Sequence, residues 1–83
     1  MRIAIVGIGY VGLVSAACFA DLGAEVYCVD VDEAKIQGLR QGIIPIYEPG
    51  LDTLVRRGME AGRLHFLAEV VSLFEHIIPL PAL

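Results

Sequence analysis

Apolar positions in this chain fall into short runs punctuated by glycine, and the spacing inside each run predicts an element. Ile3 to Val6 is a β-branched and alanine run closed by Gly7, which reads as a buried strand. A glycine-rich loop follows. From about Tyr10 to Leu22 the period becomes helical, with Val11, Val14, Cys18 and Leu22 falling on one face, and Gly23 stands where a left-handed C-terminal cap belongs. Glu25 to Val29 returns to strand preference through Val26 and Val29. Asp32 is placed to cap a helix from about Glu33 to Gln41, with Ile36 and Leu39 as its apolar stripe and Gly42 as its stop. Pro45 and Pro49 make 43–50 an ordered loop. A third helix is expected from about Leu51 to Ala61, with Leu51, Leu54, Val55 and Met59 facing one way and Gly62 ending it. Arg63 to Leu67 reads as a third strand, 68–76 as a helix and Ile77-Ile78 as the start of a fourth strand, which Pro79 and Pro81 then interrupt.

Strand, helix, strand, helix, helix, strand is the order of a parallel α/β sheet. Composition supports it. The chain is 57% hydrophobic with a mean hydropathy of +0.71, too apolar for a free-standing domain of 83 residues but natural for strands buried on both faces. Ile3 to Ala20 carries no charge over 18 residues, preceded by Arg2 and containing Ser15-Ala16-Ala17. That run has the length of a membrane span and the flavour of a secretory signal. Glycines at 7, 9 and 12 argue against both, since a different requirement accounts for each. A net charge of −4 with no basic cluster beyond Arg56-Arg57 excludes a nucleic-acid surface. Cys18 and Cys28 form no CxxC and have no histidine nearby in sequence; they read as two buried, reduced thiols of a cytoplasmic protein.

Gly7-Ile8-Gly9-Tyr10-Val11-Gly12 is a GxGxxG placed between a strand and a helix, the context in which the motif has meaning. Gly7 permits a tight turn off the strand, Gly9 lets a pyrophosphate sit against the backbone, and Gly12 lets helix and strand approach. The helix N-terminus then offers free N–H groups and a positive dipole end to phosphate. Asp30 lies 18 residues beyond Gly12, close to the roughly 20-residue offset of the carboxylate that accepts from an adenosine ribose. A carboxylate there disfavours the extra phosphate of NADP, so the expected cofactor is NAD and the expected fold a Rossmann-type parallel sheet with flanking helices. Lys35 is either a second contact in the ribose region or a solvated helix residue. Asp32 is read as a cap. Glu48 serves a turn or a ligand, His65 reads as structural, and no pair among Tyr27, Tyr47, Glu48, His65 and His76 has the spacing of a metal site or an acid–base dyad.

Three stretches carry more information than the glycine motif alone: Val6-Gly-Ile-Gly-Tyr-Val-Gly-Leu13, Val29-Asp-Val-Asp-Glu-Ala-Lys-Ile36 and Gly42-Ile-Ile-Pro-Ile-Tyr-Glu-Pro-Gly-Leu51. Together they resemble the start of UDP-glucose 6-dehydrogenases and of their relatives that oxidise GDP-mannose. The resemblance spans about residues 1–66, and 67–83 diverge from it. It implies a partial NAD-binding domain, with NAD contacts at the loop residues Tyr10 and Val11, at Asp30 and at Lys35 beside the glycines. The activity it implies is oxidation of the sugar C6 alcohol to a carboxylate in two NAD-dependent steps. The family's catalytic cysteine and its lysine and aspartate helpers lie far downstream, so no catalytic residue and no metal ligand is expected among these 83 residues. Nucleotide-sugar binding and dimerisation through a central helix are expected only of a longer chain. The isolated chain is expected to be inactive and to reflect a truncated or frame-shifted copy with about three strands. The competing readings are a stand-alone nucleotide-binding module, or a partner of a full-length enzyme, and a small membrane or secreted peptide.

Overall fold

The computed structural model describes residues 1–45 and 48–69. Six elements run in the order β1 (Arg2–Val6), α1 (Tyr10–Asp21), β2 (Glu25–Val29), α2 (Glu33–Arg40), α3 (Leu51–Glu60) and β3 (Leu64–Leu67). The three strands form one parallel sheet in the order β1-β2-β3. Each expected strand and helix through Leu67 is therefore present, within two residues at its ends. Residues 43–45 and 48–50 lie outside any helix or strand, as the prolines require. The expected fourth strand, and all but Ala68 and Glu69 of the expected fourth helix, lie outside the described residues; those two residues are not helical.

β2 is the middle strand and is the one buried on both faces. Val26 and Cys28 point into the main core with Leu64 and Phe66 of β3; Tyr27 and Val29 point the other way, with Leu67. That is the two-residue alternation of a pleated strand. All three helices bury their apolar stripes in the main core: Leu13, Ala16, Ala17 and Ala20 from α1, Ile36 and Leu39 from α2, Leu51 and Val55 from α3. Burying one leucine- or isoleucine-sized side chain stabilises by about 1.5–3 kcal/mol. β1, paired among the described residues with β2 alone, keeps Val6 71% exposed. On the second face His65 stacks on Tyr27, ring centroids 4.7 Å apart, which fits its reading as a structural histidine. Its Nε2 lies 4.0 Å from Glu25, which accepts a hydrogen bond from the Tyr27 hydroxyl.

The buried face of α1 differs from the expected one. Val11 and Leu22 are 74% and 83% exposed, Cys18 is exposed, and Val14 is only half-buried. The buried positions are Leu13 and three alanines. α1 lies close to the sheet, as the contact of Gly12 with the Gly7 carbonyl shows, and it docks through Leu13 and the alanines, which leaves Val11, Cys18 and Leu22 outside. The expectation of two buried thiols fails for the same reason: Cys18 stands on the outer face. Cys28, in the core, has its thiol pushed up to about 12 by burial alone. Both cysteines are free. The apolar run from Ile3 to Ala20 is divided between β1 and α1, and among the described residues no helix is long and apolar enough to cross a membrane.

All three helices end alike. Ala24, Ile43 and Arg63 donate their N–H groups to the carbonyls of Phe19, Gly38 and Gly58, closing a six-residue loop around Gly23, Gly42 and Gly62. Arginines tie the layers together. Arg63 Nε donates to the Ala20 carbonyl at the end of α1, and Arg40 donates twice to the Phe66 carbonyl, at 2.9 and 2.6 Å. Arg57 pairs with Asp21 at 2.7 Å, joining α3 to α1.

Gly58 is the point where α3 approaches both α1 and β3. A Cβ there would lie 3.0 Å from Leu64 Cβ and 3.3 Å from Ala20 Cβ, atoms that move only with their backbones. Gly58→Val is expected to destabilise the fold by about 1–3 kcal/mol, as overpacking does, read as a lower urea midpoint. Arg56→Ala on the exposed face of the same helix should leave the midpoint within experimental error.

Candidate functional site

The C-terminal ends of β1 and β2 build the site. β1 closes at Val6, and Gly7, at φ +87°, turns the chain into the loop. Gly7 N–H donates to the Val29 carbonyl at 2.8 Å, so the loop starts already fastened to β2. Ile8 buries its side chain in the core, and Gly9 is the extended residue that begins α1. A Cβ on Gly9 would meet nothing within 4 Å, so the space above it is open. A Cβ on Gly12 would lie 2.6 Å from the Gly7 carbonyl oxygen, inside any permitted contact. The first turn of α1 therefore rests directly on the loop. No side chain caps this N-terminus and its first turn carries no acidic residue, so its N–H groups and positive dipole end are available to an anion.

Asp30 stands immediately after β2. Its Oδ2 accepts from Ile8 N–H at 2.8 Å and its Oδ1 from Asp32 N–H at 2.9 Å. Lys35 Nζ lies 3.5 Å from Oδ2 and donates to the Ile8 carbonyl at 3.0 Å. Asp32 caps α2 as expected, accepting from Lys35 N–H at 3.1 Å. The Asp30 carboxyl is held below the usual carboxylate range, first by the Asp32 N–H, then by the Ile8 N–H, with the Lys35 ammonium adding to both against partial burial. It is thus an ionised acceptor at neutral pH. A carboxylate has about four lone-pair sites, and two N–H donors leave capacity for a hydroxyl.

The seven residues expected to serve the cofactor fall in one neighbourhood. Gly7, Gly9, Gly12, Asp30 and Lys35 surround the loop, and Tyr10 and Val11 form the first turn of α1, 49% and 74% exposed. The Lys35 ammonium, its side chain 28% exposed, is turned back to the loop. Tyr10 donates its hydroxyl to Glu48 at 2.7 Å, across 38 residues. That contact raises the Tyr10 phenol above its ordinary range. The engagement of Ile8 was not legible beforehand, and Glu48, read as serving a turn or a ligand, was not expected to meet Tyr10. Ile8, the unnamed residue of the motif, has both its backbone N–H and its carbonyl engaged by side chains. Glu48, just before α3, reaches Tyr10 because α3 packs on α1, which no local pattern reports. Among the described residues no three of His, Cys, Asp and Glu are grouped to hold a metal.

Two measurements check this geometry. A folded-state pKa below the unfolded value of about 3.9 means the unfolded chain binds the proton first as pH falls. The Asp30 contribution is therefore complete above about pH 5 and is lost as pH drops through the folded value. In urea denaturation the stability gap between the unmodified chain and Asp30→Asn should be largest at neutral pH and shrink towards pH 2–3. Gly12→Ala should displace the loop from α1, lowering stability by about 1–3 kcal/mol and weakening ADP binding by roughly ten-fold or more, about 1.4 kcal/mol, in calorimetry.

Comparison with known proteins gives one answer. Residues 1–77 match the family described as "UDP-glucose/GDP-mannose dehydrogenase family, NAD binding domain". The chain is 59% identical over 66 residues to UDP-glucose 6-dehydrogenase of Rhizobium meliloti (strain 1021), covering 80% of this chain and 15% of that protein. It is 52% identical over 72 residues to GDP-mannose 6-dehydrogenase of Azotobacter vinelandii, covering 87% of this chain and 16% of the relative. The crystal structure of a ternary complex of GDP-mannose dehydrogenase from Pseudomonas aeruginosa superposes with a TM-score of 0.79 at 48% identity, over 83% of this chain and 16% of that one. A UDP-glucose dehydrogenase from the archaeon Pyrobaculum islandicum gives 0.80 at 39% identity, over 86% and 16%. The chain thus spans about 15% of the length of the curated relatives it matches. With a three-stranded parallel sheet, a glycine loop fastened to Asp30 and these likenesses together, the chain belongs to the UDP-glucose/GDP-mannose dehydrogenase family, within its NAD binding domain.

Proposed function

We propose that this chain supplies the adenosine-side wall of an NAD site in a cytoplasmic nucleotide-sugar 6-dehydrogenase of the UDP-glucose type. The observation that carries the reading is the ionised Asp30 carboxylate set beside an open glycine loop and an uncapped helix N-terminus. The residues fit the cofactor chemically. Gly9 leaves room for a pyrophosphate, the uncapped first turn of α1 at Tyr10 and Val11 would offer it N–H groups, and Asp30, with Lys35 beside it, would accept from ribose hydroxyls. NAD, when bound, accepts the hydride; what these residues do is hold and orient its adenosine diphosphate part. Oxidising a C6 alcohol to a carboxylate removes four electrons, so each sugar consumes two NAD+ and one water. Nucleotide-sugar binding, oligomerisation and catalysis belong to the whole enzyme in this reading.

Neither cysteine described here suits the role of catalytic nucleophile. Cys28 is buried with its thiol at about 12, so it carries negligible thiolate at neutral pH. Cys18 lies on the outer face of α1, away from the loop. The 83-residue chain alone is therefore inactive in this reading.

Calorimetry provides the test. NAD and ADP should bind the 83-residue chain, NADP should bind at least ten-fold more weakly than NAD because its extra phosphate meets Asp30 (a difference of about 1.4 kcal/mol), and Asp30→Ala should abolish that preference. Mixing the chain with UDP-glucose and NAD should produce no NADH. Absence of heat with millimolar NAD removes the binding reading, and NADH production removes the assignment of catalysis to other parts of the enzyme.

A further inference from the structure

We propose that Lys35 is a positioning residue for the phosphate-binding loop, holding the Ile8 carbonyl and so fixing how the Ile8–Gly9 peptide faces a diphosphate. This rests on the NAD-binding reading and assigns Lys35 a role that a ribose contact does not include.

Gly7 and Gly9 flank Ile8, and the space where each would carry a Cβ is open. Packing therefore does not restrain the two glycines, and glycine loses more conformational freedom on ordering than any other residue. Gly7 N–H is tied to the Val29 carbonyl at 2.8 Å and the Gly9 carbonyl accepts from Leu13 N–H at 2.9 Å; between these two ties the chain is held at Ile8. Its side chain is buried. Its N–H is held by Asp30 Oδ2 at 2.8 Å and its carbonyl by Lys35 Nζ at 3.0 Å. Lys35 Nζ and Asp30 Oδ2 are themselves 3.5 Å apart. Ile8 N–H, Asp30, Lys35 and Ile8 C=O thus close a ring around one residue. Lys35 is in turn anchored through its own N–H, which donates to Asp32 at the start of α2. Its side chain is 28% exposed, so the bond is less screened than an open surface pair.

The ammonium also acts on the peptide itself. The Ile8 carbonyl and the Gly9 N–H belong to a single conjugated amide. A cation on the oxygen draws density from the nitrogen and strengthens Gly9 N–H as a donor, the mutual polarisation seen along hydrogen-bond chains. Lys35 therefore acts on a phosphate without touching it, through the peptide it holds.

The test compares Lys35→Met and Lys35→Gln with the unmodified 83-residue chain, using ADP and adenosine as probes and amide hydrogen exchange as a second readout. A residue that only contacts the ribose lowers ADP and adenosine affinity by the same factor. A residue that positions the loop lowers ADP affinity by roughly ten-fold more than adenosine affinity, a difference of about 1.4 kcal/mol. Exchange at Ile8 should quicken in both variants while exchange at Tyr27 and Cys28 in β2 stays unchanged. Equal losses for the two probes, or unchanged exchange at Ile8, overturns the proposal. So does faster exchange throughout, which marks a purely global stabilising role. Should the unmodified chain bind neither probe, the NAD-binding reading fails by itself, and the exchange pattern still decides whether Lys35 holds the loop.

Discussion

The loop between β1 and α1 has to stay open to an anion and yet keep one shape, and the rest of the site depends on how that is achieved. Glycine provides the openness and none of the stiffness. Stiffness comes from β2, whose end receives the loop at two consecutive positions: Gly7 N–H on the Val29 carbonyl and Ile8 N–H on the Asp30 carboxylate. Because β1 and β2 are parallel and in register from Arg2–Glu25 to Val6–Val29, both strands end at the same level. The residue that follows β2 is then automatically beside the residue that follows β1. The carboxylate and the glycine loop are neighbours because of sheet register, and the spacing of about 20 residues in the motif is the length of helix and turn needed to bring them there.

The same constraint shapes the packing. α1 must start at the loop and run down the sheet close enough that Gly12 touches the Gly7 carbonyl. Close approach at its beginning favours small residues along its buried side, and Ala16, Ala17 and Ala20 follow. Further down, Gly58 of α3 fits against Ala20 and Leu64. The helices sit near one another and near the sheet because of absent side chains as much as present ones. Binding geometry at one end and tight packing at the other are two consequences of a single closely docked helix.

Beside the surface pair of Arg57 with Asp21, charge is organised around the backbone. Arg40 and Arg63 cover the carbonyls at the ends of β3 and α1, Lys35 covers that of Ile8, and Asp30 and Asp32 collect N–H groups at the start of α2. Each engages a main-chain group at or near an element end, where regular hydrogen bonding runs out. The Asp30 carboxylate stays ionised as a by-product, which gives the site its acceptor.

Element order, the turn glycines, the Asp32 cap and the Asp30 carboxylate were all determined by local sequence, because strand and helix periods, cap chemistry and a fixed motif spacing act over a few residues or within one βαβ unit. Ile36, Leu39, Leu51 and Val55 were identified as core for the same reason: each lies on an ordinary amphipathic stripe. Only the tertiary structure decided which side of α1 is buried. Nearly all of that helix is apolar, so its periodicity has no polar face to orient it, and docking on the sheet buries Leu13 and the alanines rather than Val11, Cys18 and Leu22. Lys35, read evenly as ligand contact or solvated residue, donates to the Ile8 carbonyl, a backbone group that no side-chain pattern reveals. Tyr10 and Glu48 meet across 38 residues because α3 docks on α1, and contacts of that kind exist only once the helices have packed.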